Sequence, residues 1–301
     1  MLRIGTRGSA LALAQAGTVV ESIGSARAEL VPIRTSGDEG GAGSAAAGDK
    51  SRFVREIERA LLAGDVGMAV HSAKDVPGVL PDGLGLVGVP AREDPADAWV
   101  GAGTSLAEVP DGARVGTSSL RRRSQLLALR PDLEIVELRG NVDSRLRRLR
   151  TDELDGVVLA AAGLERLGRA GEITFRFGLD ELTPAPGQGA LALQARDGDE
   201  EAFATAAELT DREALIELTA ERAAVALLEA SCDTPVGVCA RHRDDVLTLR
   251  GWAGLPDGSE HIAESVEGDP EQPVALGEAL VERMAARGVH ELLVRAEAMA
   301  P

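Results

Sequence analysis

Four short stretches concentrate the side chains that could do chemistry. In 71–77, HSAKDVP, a strand-like apolar run at 66–70 delivers His71, Ser72, Lys74 and Asp75 to its C-terminal end, and Pro77 stops it. Adjacent lysine and aspartate can trade protons or set a fixed charge beside a reacting group; a surface turn with an ordinary ion pair would use the same dipeptide. In 114–123, RVGTSSLRRR, the hydroxyls of Thr117, Ser118 and Ser119 lead into a helix with Arg121 and Arg122 in its first turn. Arginines there oppose the helix dipole. Hydroxyls, free backbone N–H groups and guanidinium groups converging at that point suit an anion, and a solvated basic helix start is the plainer alternative. Arg7 and Ser9 follow the first strand in the same way, while Arg139 ends a strand and Arg145 lies on the next helix of LRGNVDSR, 138–145. Cys232, in the small-residue loop ASCDTPVGVC at 230–239, reads by itself as an inert loop cysteine.

The elements that must position these residues alternate over the first two thirds of the chain. Strands are expected at 2–6, 29–35, 66–71, 84–89, 113–117, 133–138, 155–160 and 189–195, and helices at 9–23, 52–63, 119–130, 142–150 and 200–209. That alternation predicts an α/β fold with largely parallel sheets. Arg-Ile-Gly-Thr at 3–6 returns as Arg-Val-Gly-Thr at 114–117, and DVGMAVHSA at 65–73 resembles DGVVLAAAG at 155–163. Two halves of similar build would face each other across a crevice, where open α/β sheets bind ligands. The glycine- and alanine-rich stretch 37–49 reads as a loop, either a lid or a plain linker. Thr210 and Glu213 form a capping box opening a helix at 211–229. Strands at 236–241, 246–253 and 260–267 and a helix at 272–287 complete a small α/β domain after a boundary near residue 210.

Composition narrows the function classes. The chain has 301 residues, enough for two or three domains, and 44% of them are hydrophobic. A net charge of −17 argues against a general nucleic-acid binder and makes any local arginine cluster informative. Only two of the 32 basic residues are lysines, Lys50 and Lys74. No apolar run is long enough to span a membrane, and no signal peptide precedes the first strand, so a cytoplasmic location is expected. Cys232 and Cys239 make no disulfide framework, and with only His242 nearby no metal site is expected.

Together these pieces resemble the porphobilinogen deaminase (hydroxymethylbilane synthase) family. The matching segments are RIGTRGSALALAQ (3–15), HSAKDVP (71–77), GTSSLRRRSQL (116–126), LRGNVDSRL (138–146), AAAGLERLG (160–168), PAPGQGAL (184–191) and LEASCDTPVG (228–237). The resemblance implies two lobes like those of periplasmic binding proteins flanking a cleft, plus a small third α/β domain. It divides the chain into 1–94 with 187–210, then 95–186, then 211–301. It implies a transferase that condenses four porphobilinogen molecules, with release of ammonia, into hydroxymethylbilane on a covalent dipyrromethane primer. Cys232 matches the thioether attachment site, which reverses the reading of that residue in isolation, and Asp75 matches the catalytic aspartate. Arg7, Arg121, Arg122, Arg139, Arg145 and Arg166 match positions that bind the pyrrole carboxylates. Ser9, Ser72, Lys74, Thr117, Ser118, Ser119 and Gln188 match other cofactor- or substrate-contacting positions. Lys50 and Phe53 keep register with the family's loop motif, but 48–53 otherwise departs from it, which leaves lid behaviour open. A monomer is implied. The competing expectation is a non-catalytic two-lobed solute-binding protein for a polycarboxylate, which would explain the arginines but neither Asp75 nor Cys232.

Overall fold

The computed structural model describes residues 1–35, 54–151, 153–229 and 234–299. The chain divides into two compact units, Met1–Glu93 with Gly189–Leu218, and Asp94–Gln188 with Thr219–Pro301.

The first unit is built on a five-stranded sheet of β1 (Leu2–Arg7), β2 (Ala28–Ile33), β3 (Met68–Ser72), β4 (Leu84–Gly88) and β10 (Leu191–Arg196), in the order β2-β1-β3-β10-β4. Its strands are rich in Leu, Ile and Val, as sheets covered on both faces require. One face packs Ile4, Met68, Val70 and Leu193 against Ala16 and Val19 of α1 (Ala10–Ile23) and Ala202 and Ala206 of α6 (Glu200–Leu209). The other packs Ala69 and Val66 against Ile57 and Leu61 of α2 (Arg55–Ala63). α1 starts at an N-cap, Ser9, whose hydroxyl accepts from the Ala12 N–H. α2 ends at Gly64, whose left-handed backbone (φ 77°) turns the chain back towards β3.

The second unit repeats the plan with β5 (Asp97–Gly101), β6 (Arg114–Gly116), β7 (Glu134–Val136), β8 (Gly156–Ala160) and β9 (Phe175–Arg176), in the order β7-β6-β8-β5-β9. Between its strands run α3 (Leu120–Leu129), α4 (Val142–Thr151) and the short α5 (Ala161–Arg166). The same unit contains α7 from Thr219 onward (Arg212–Leu227 in full) and an antiparallel sheet of β11 (Val236–Arg243), β12 (Val246–Gly254) and β13 (His261–Gly268). α8 (Pro273–Ala285) and α9 (Val289–Met299) cover that sheet.

The α/β class holds, and four of the five strands in each large sheet run in one direction, with a single strand reversed. In each five-stranded sheet the strands around β1 or β6 pair in parallel, whereas β10 and β5 pair antiparallel with both neighbours. β10 enters its sheet from a distant part of the chain, and strand direction leaves no trace in an apolar run. β5 and β9 were absent from the sequence reading; β5 follows DPA and β9 has two residues. The internal repeat is real, with its register moved by two residues. Ile4 pairs with Met68 and Val115 with Gly156, so Met68, rather than Val66, corresponds to Gly156.

Candidate active site

In the first unit, β3 ends at Ser72 and the chain winds into one 3-10 turn, Ala73–Asp75. Two backbone bonds fix that turn: Ala73 N–H to Ala190 C=O (3.0 Å) and Val76 N–H to Ala73 C=O (3.2 Å). Asp75 is thereby held at the strand's C-terminal end, half-buried beside a small cavity of about 20 Å³ that Arg7, Gln15, His71 and Ser72 also line. The Ser72 hydroxyl is paired with the side-chain amide of Gln15 on α1, at 2.9 Å. Behind them, the buried His71 ring bonds Gln194 Oε1 at 3.0 Å, and Gln194 Nε2 donates to Glu58 Oε1 on α2 at 3.3 Å. Burial pushes His71 down to about 4; the Gln194 bond and the Asp75 carboxylate pull weakly upward and Arg7 adds to the fall. The imidazole is therefore neutral at physiological pH.

In the second unit the hydroxyls act locally. Ser119 accepts from the Arg122 N–H as the N-cap of α3, and Thr117 Oγ1 accepts from the Ser119 N–H. Arg121 and Arg122 do not project into solvent from the helix start. Each is 5% exposed, and both grip Asp97 at the start of β5. Arg122 donates to Asp97 Oδ1 from Nε (3.0 Å) and Nη2 (2.7 Å) and to Val158 C=O from Nη1. Arg121 donates from Nη1 to Asp97 Oδ2 and to Thr183 C=O, both at 2.7 Å, and its buried Nε has no partner among the described residues. Gln188 Nε2 donates to Asp97 Oδ1 (2.9 Å) and Pro95 C=O (2.7 Å). Burial alone would raise the Asp97 carboxyl, but the two guanidinium groups and these hydrogen bonds overcome it and hold the group well below the usual carboxylate range. Two arginines on one carboxylate leave an excess positive charge in the interior, which is costly without a further anion.

The remaining predicted residues scatter more widely. Arg145 on α4 donates to Ser118 Oγ at 3.3 Å, Arg139 is exposed and paired with Glu137, and Arg166 ends α5 half-buried. Lys74 lies half-buried in the 3-10 turn beside Asp75. Cys232, Lys50, Phe53 and the loop 37–49 lie outside the described residues. Cys239 is buried on β11. Among the described residues no helix is long and apolar enough to cross a membrane. Sequence reading missed Asp97, Gln15, Gln194 and Glu58. The one available signal was the acid of DPADAWV, placed where an apolar run begins.

Fold and polar ends define a class: an α/β protein with a duplicated five-stranded sheet, carrying a carboxylate at one strand end and buried arginines at the other. Comparison with known proteins makes the assignment specific. Residues 2–204 match the family model for the porphobilinogen deaminase dipyrromethane cofactor binding domain, and residues 215–286 match the porphobilinogen deaminase C-terminal domain. Porphobilinogen deaminase of Syntrophus aciditrophicus is 45% identical over 98% of this chain and 99% of its own length. That of a Roseiflexus species is 48% identical over 97% of this chain and 98% of its own. Among solved structures, a TRAP periplasmic solute binding protein from Desulfovibrio salexigens superposes with a TM-score of 0.40 at 11% identity, covering 69% of this chain and 72% of that one. The chain belongs to the porphobilinogen deaminase family, transferases of tetrapyrrole biosynthesis that work on a dipyrromethane cofactor.

Proposed function

We propose that the chain joins four porphobilinogen molecules into hydroxymethylbilane, with Asp75 as the catalytic residue and Cys232 as the cofactor's thioether anchor. The observation that carries this reading is the placement of Asp75. The carboxylate sits on a turn pinned by two backbone hydrogen bonds, beside a cavity that Arg7 and Ser72 also line. Loss of ammonia from porphobilinogen leaves a cation on the substrate, and a fixed carboxylate stabilises that charge as it develops. Electrostatic stabilisation is the larger role; the same oxygens can move the protons that the condensation releases.

The residues present fit a polyacidic cofactor. The second unit holds more positive charge than Asp97 neutralises, and the Arg121 Nε is a donor without a protein partner among the described residues. Arg121, with Arg7, Arg139, Arg145 and Arg166, would hold cofactor and substrate carboxylates, a task planar guanidinium groups suit better than lysine. Ser9, Ser72, Lys74, Ser118 and Gln188 complete the binding set. Thr117, Ser119 and Arg122 shape the site through the helix cap and Asp97. Dipyrromethane supplies a nucleophilic pyrrole carbon from which the chain grows. Three domains are proposed, 1–94 with 187–210, 95–186 and 211–301, in a cytoplasmic monomer without nucleic-acid or membrane partners.

Denaturing intact mass spectrometry tests the anchor. The protein is expected to exceed its sequence mass by two linked pyrrole units, and Cys232→Ser to remove the excess. Peptide mapping is expected to find Cys239 unmodified, since it is 3% exposed. Turnover tests the acid: Asp75→Asn is expected to lose about 100-fold or more, and Asp75→Glu to keep a little. An unmodified protein, or an Asp75→Asn enzyme with most of its turnover, would favour the solute-binding alternative.

A further inference from the structure

The first unit buries a line of polar groups that the proposed chemistry leaves unused. Glu58 on α2, Gln194 on β10 and His71 on β3 are all buried and joined by two hydrogen bonds, and His71 forms part of the wall of the Asp75 cavity. The line has a direction. Gln194 Nε2 faces the Glu58 carboxylate, because the flipped amide would set its oxygen against a carboxylate oxygen. That orientation turns Gln194 Oε1 towards His71 Nε2, so Nε2 must carry the ring proton and Nδ1 must not. Glu58 thus selects the tautomer of a histidine that it does not touch.

We propose that His71 is a positioning residue, fixed by Gln194 and Glu58 in the Nε2–H tautomer so that Asp75 works beside an uncharged imidazole with Arg7 as the one cation among the described residues lining the cavity. The inference rests on the reading of Asp75 as the catalytic group. Its physical reason is that the reaction builds positive charge on the substrate next to Asp75. An imidazolium in the same wall would oppose that charge and compete for the carboxylate's field. Among the described residues, the charged groups that bear on the ring are Asp75, Arg7 from β1, and Glu58 through Gln194. Burial outweighs Asp75's pull and keeps the ring uncharged at physiological pH.

The chain has four histidines, so the ring can be followed by 15N NMR in the cofactor-loaded enzyme. The expected signal is a neutral ring protonated at Nε2 throughout pH 5.5–8, lost or inverted to Nδ1–H in Glu58→Gln. An imidazolium at pH 7, or an Nδ1–H ring in the unmutated enzyme, would overturn the proposal. Kinetics give an independent arm. Gln194→Glu sets a carboxylate against Nε2 and favours the charged ring, so the acid limb of its kcat profile is expected to rise by about one pH unit or more. A folded, cofactor-loaded Gln194→Glu enzyme with the unmutated profile would sink the idea. Should that variant fail to fold, the NMR of the unmutated enzyme and Glu58→Gln decides. The two readings fail separately: an active Asp75→Asn enzyme removes the catalytic assignment, while an inactive one with an unchanged Gln194→Glu profile removes only the role of His71.

Discussion

The two five-stranded sheets can be compared residue by residue, because Ile4 against Met68 in one corresponds to Val115 against Gly156 in the other. In that register Ser72 corresponds to Ala160 and Leu191 to Asp97. Counting from the two N-caps, Ser9 and Ser119, Leu11 and Ala12 of α1 correspond to Arg121 and Arg122 of α3. Where the first unit has Leu191, Leu11 and Ala12, the second buries an aspartate and two arginines. On the opposite face the exchange reverses: His71 and Gln194 in the first sheet correspond to Leu159 and Val100 in the second. Past the strand end, Lys74 and Asp75 correspond to Ala162 and Gly163. One scaffold thus carries two kinds of polar interior. The first sets an uncharged imidazole beside Asp75, and the second is ionic with positive charge in excess.

The strongest way to break this comparison is to graft one interior into the other. Asp97→Leu alone strands two buried guanidinium groups and is expected to destabilise the protein by about 3–5 kcal/mol. Adding Arg121→Leu and Arg122→Ala restores the apolar trio of the first sheet, and most of that loss should return in chemical denaturation. Cofactor retention and turnover should not return with it. A triple variant that is stable and fully active would show that the ions serve the fold alone; one no more stable than Asp97→Leu would show that the two sheets are not interchangeable here.

How much was legible in the sequence follows the same division. β1, β3, α1 and α3 were readable within a residue or two, since apolar period and an N-cap hydroxyl are local signals. The position of Asp75 was readable because it lies just past the end of an apolar strand. Asp97 was not, because its partners lie 24 and 25 residues away and nothing local marks a carboxylate as buried. The arginines drew attention as an anion site at a helix start, but nothing local showed that Arg122 spends all three nitrogens inside the protein. The chain of Glu58, Gln194 and His71 spans 136 residues of sequence and joins three elements, so only the fold reveals it.

The reverse graft is expected to have the next largest effect, and it appears in the pH dependence of stability. The folded-state value of His71 lies below its ordinary 6.5, at about 4. Between those values the unfolded chain takes up a proton that the folded protein refuses. The group therefore costs nothing above about pH 6.5 and destabilises progressively as pH falls, by roughly 3 kcal/mol near pH 4. Replacing the pair with its counterparts, His71→Leu with Gln194→Val, should flatten that part of the Tm-against-pH curve. A slope unchanged in the double variant would mean that another group carries the acid sensitivity.

The smallest effect concerns volume. Trp99 on β5 corresponds to Leu193 on β10, and Gly156 on β8 to Met68 on β3, so the sheets exchange large for small across neighbouring strands. A Cβ built on Gly156 would lie 2.1 Å from the Trp99 ring, where no side chain fits unless the indole moves. Trp99 is held by its indole N–H to Ala102 C=O (3.0 Å) and by stacking on Phe175, so it cannot shift freely. Gly156→Ala is expected to cost about 1–3 kcal/mol by overpacking. In a Trp99→Leu background, which carries the first sheet's smaller residue at that position, the same substitution should cost less than it does alone. Equal penalties in the two backgrounds would show that the glycine is needed for its backbone rather than for the space it leaves, and the exchange of volumes between the sheets would lose its meaning.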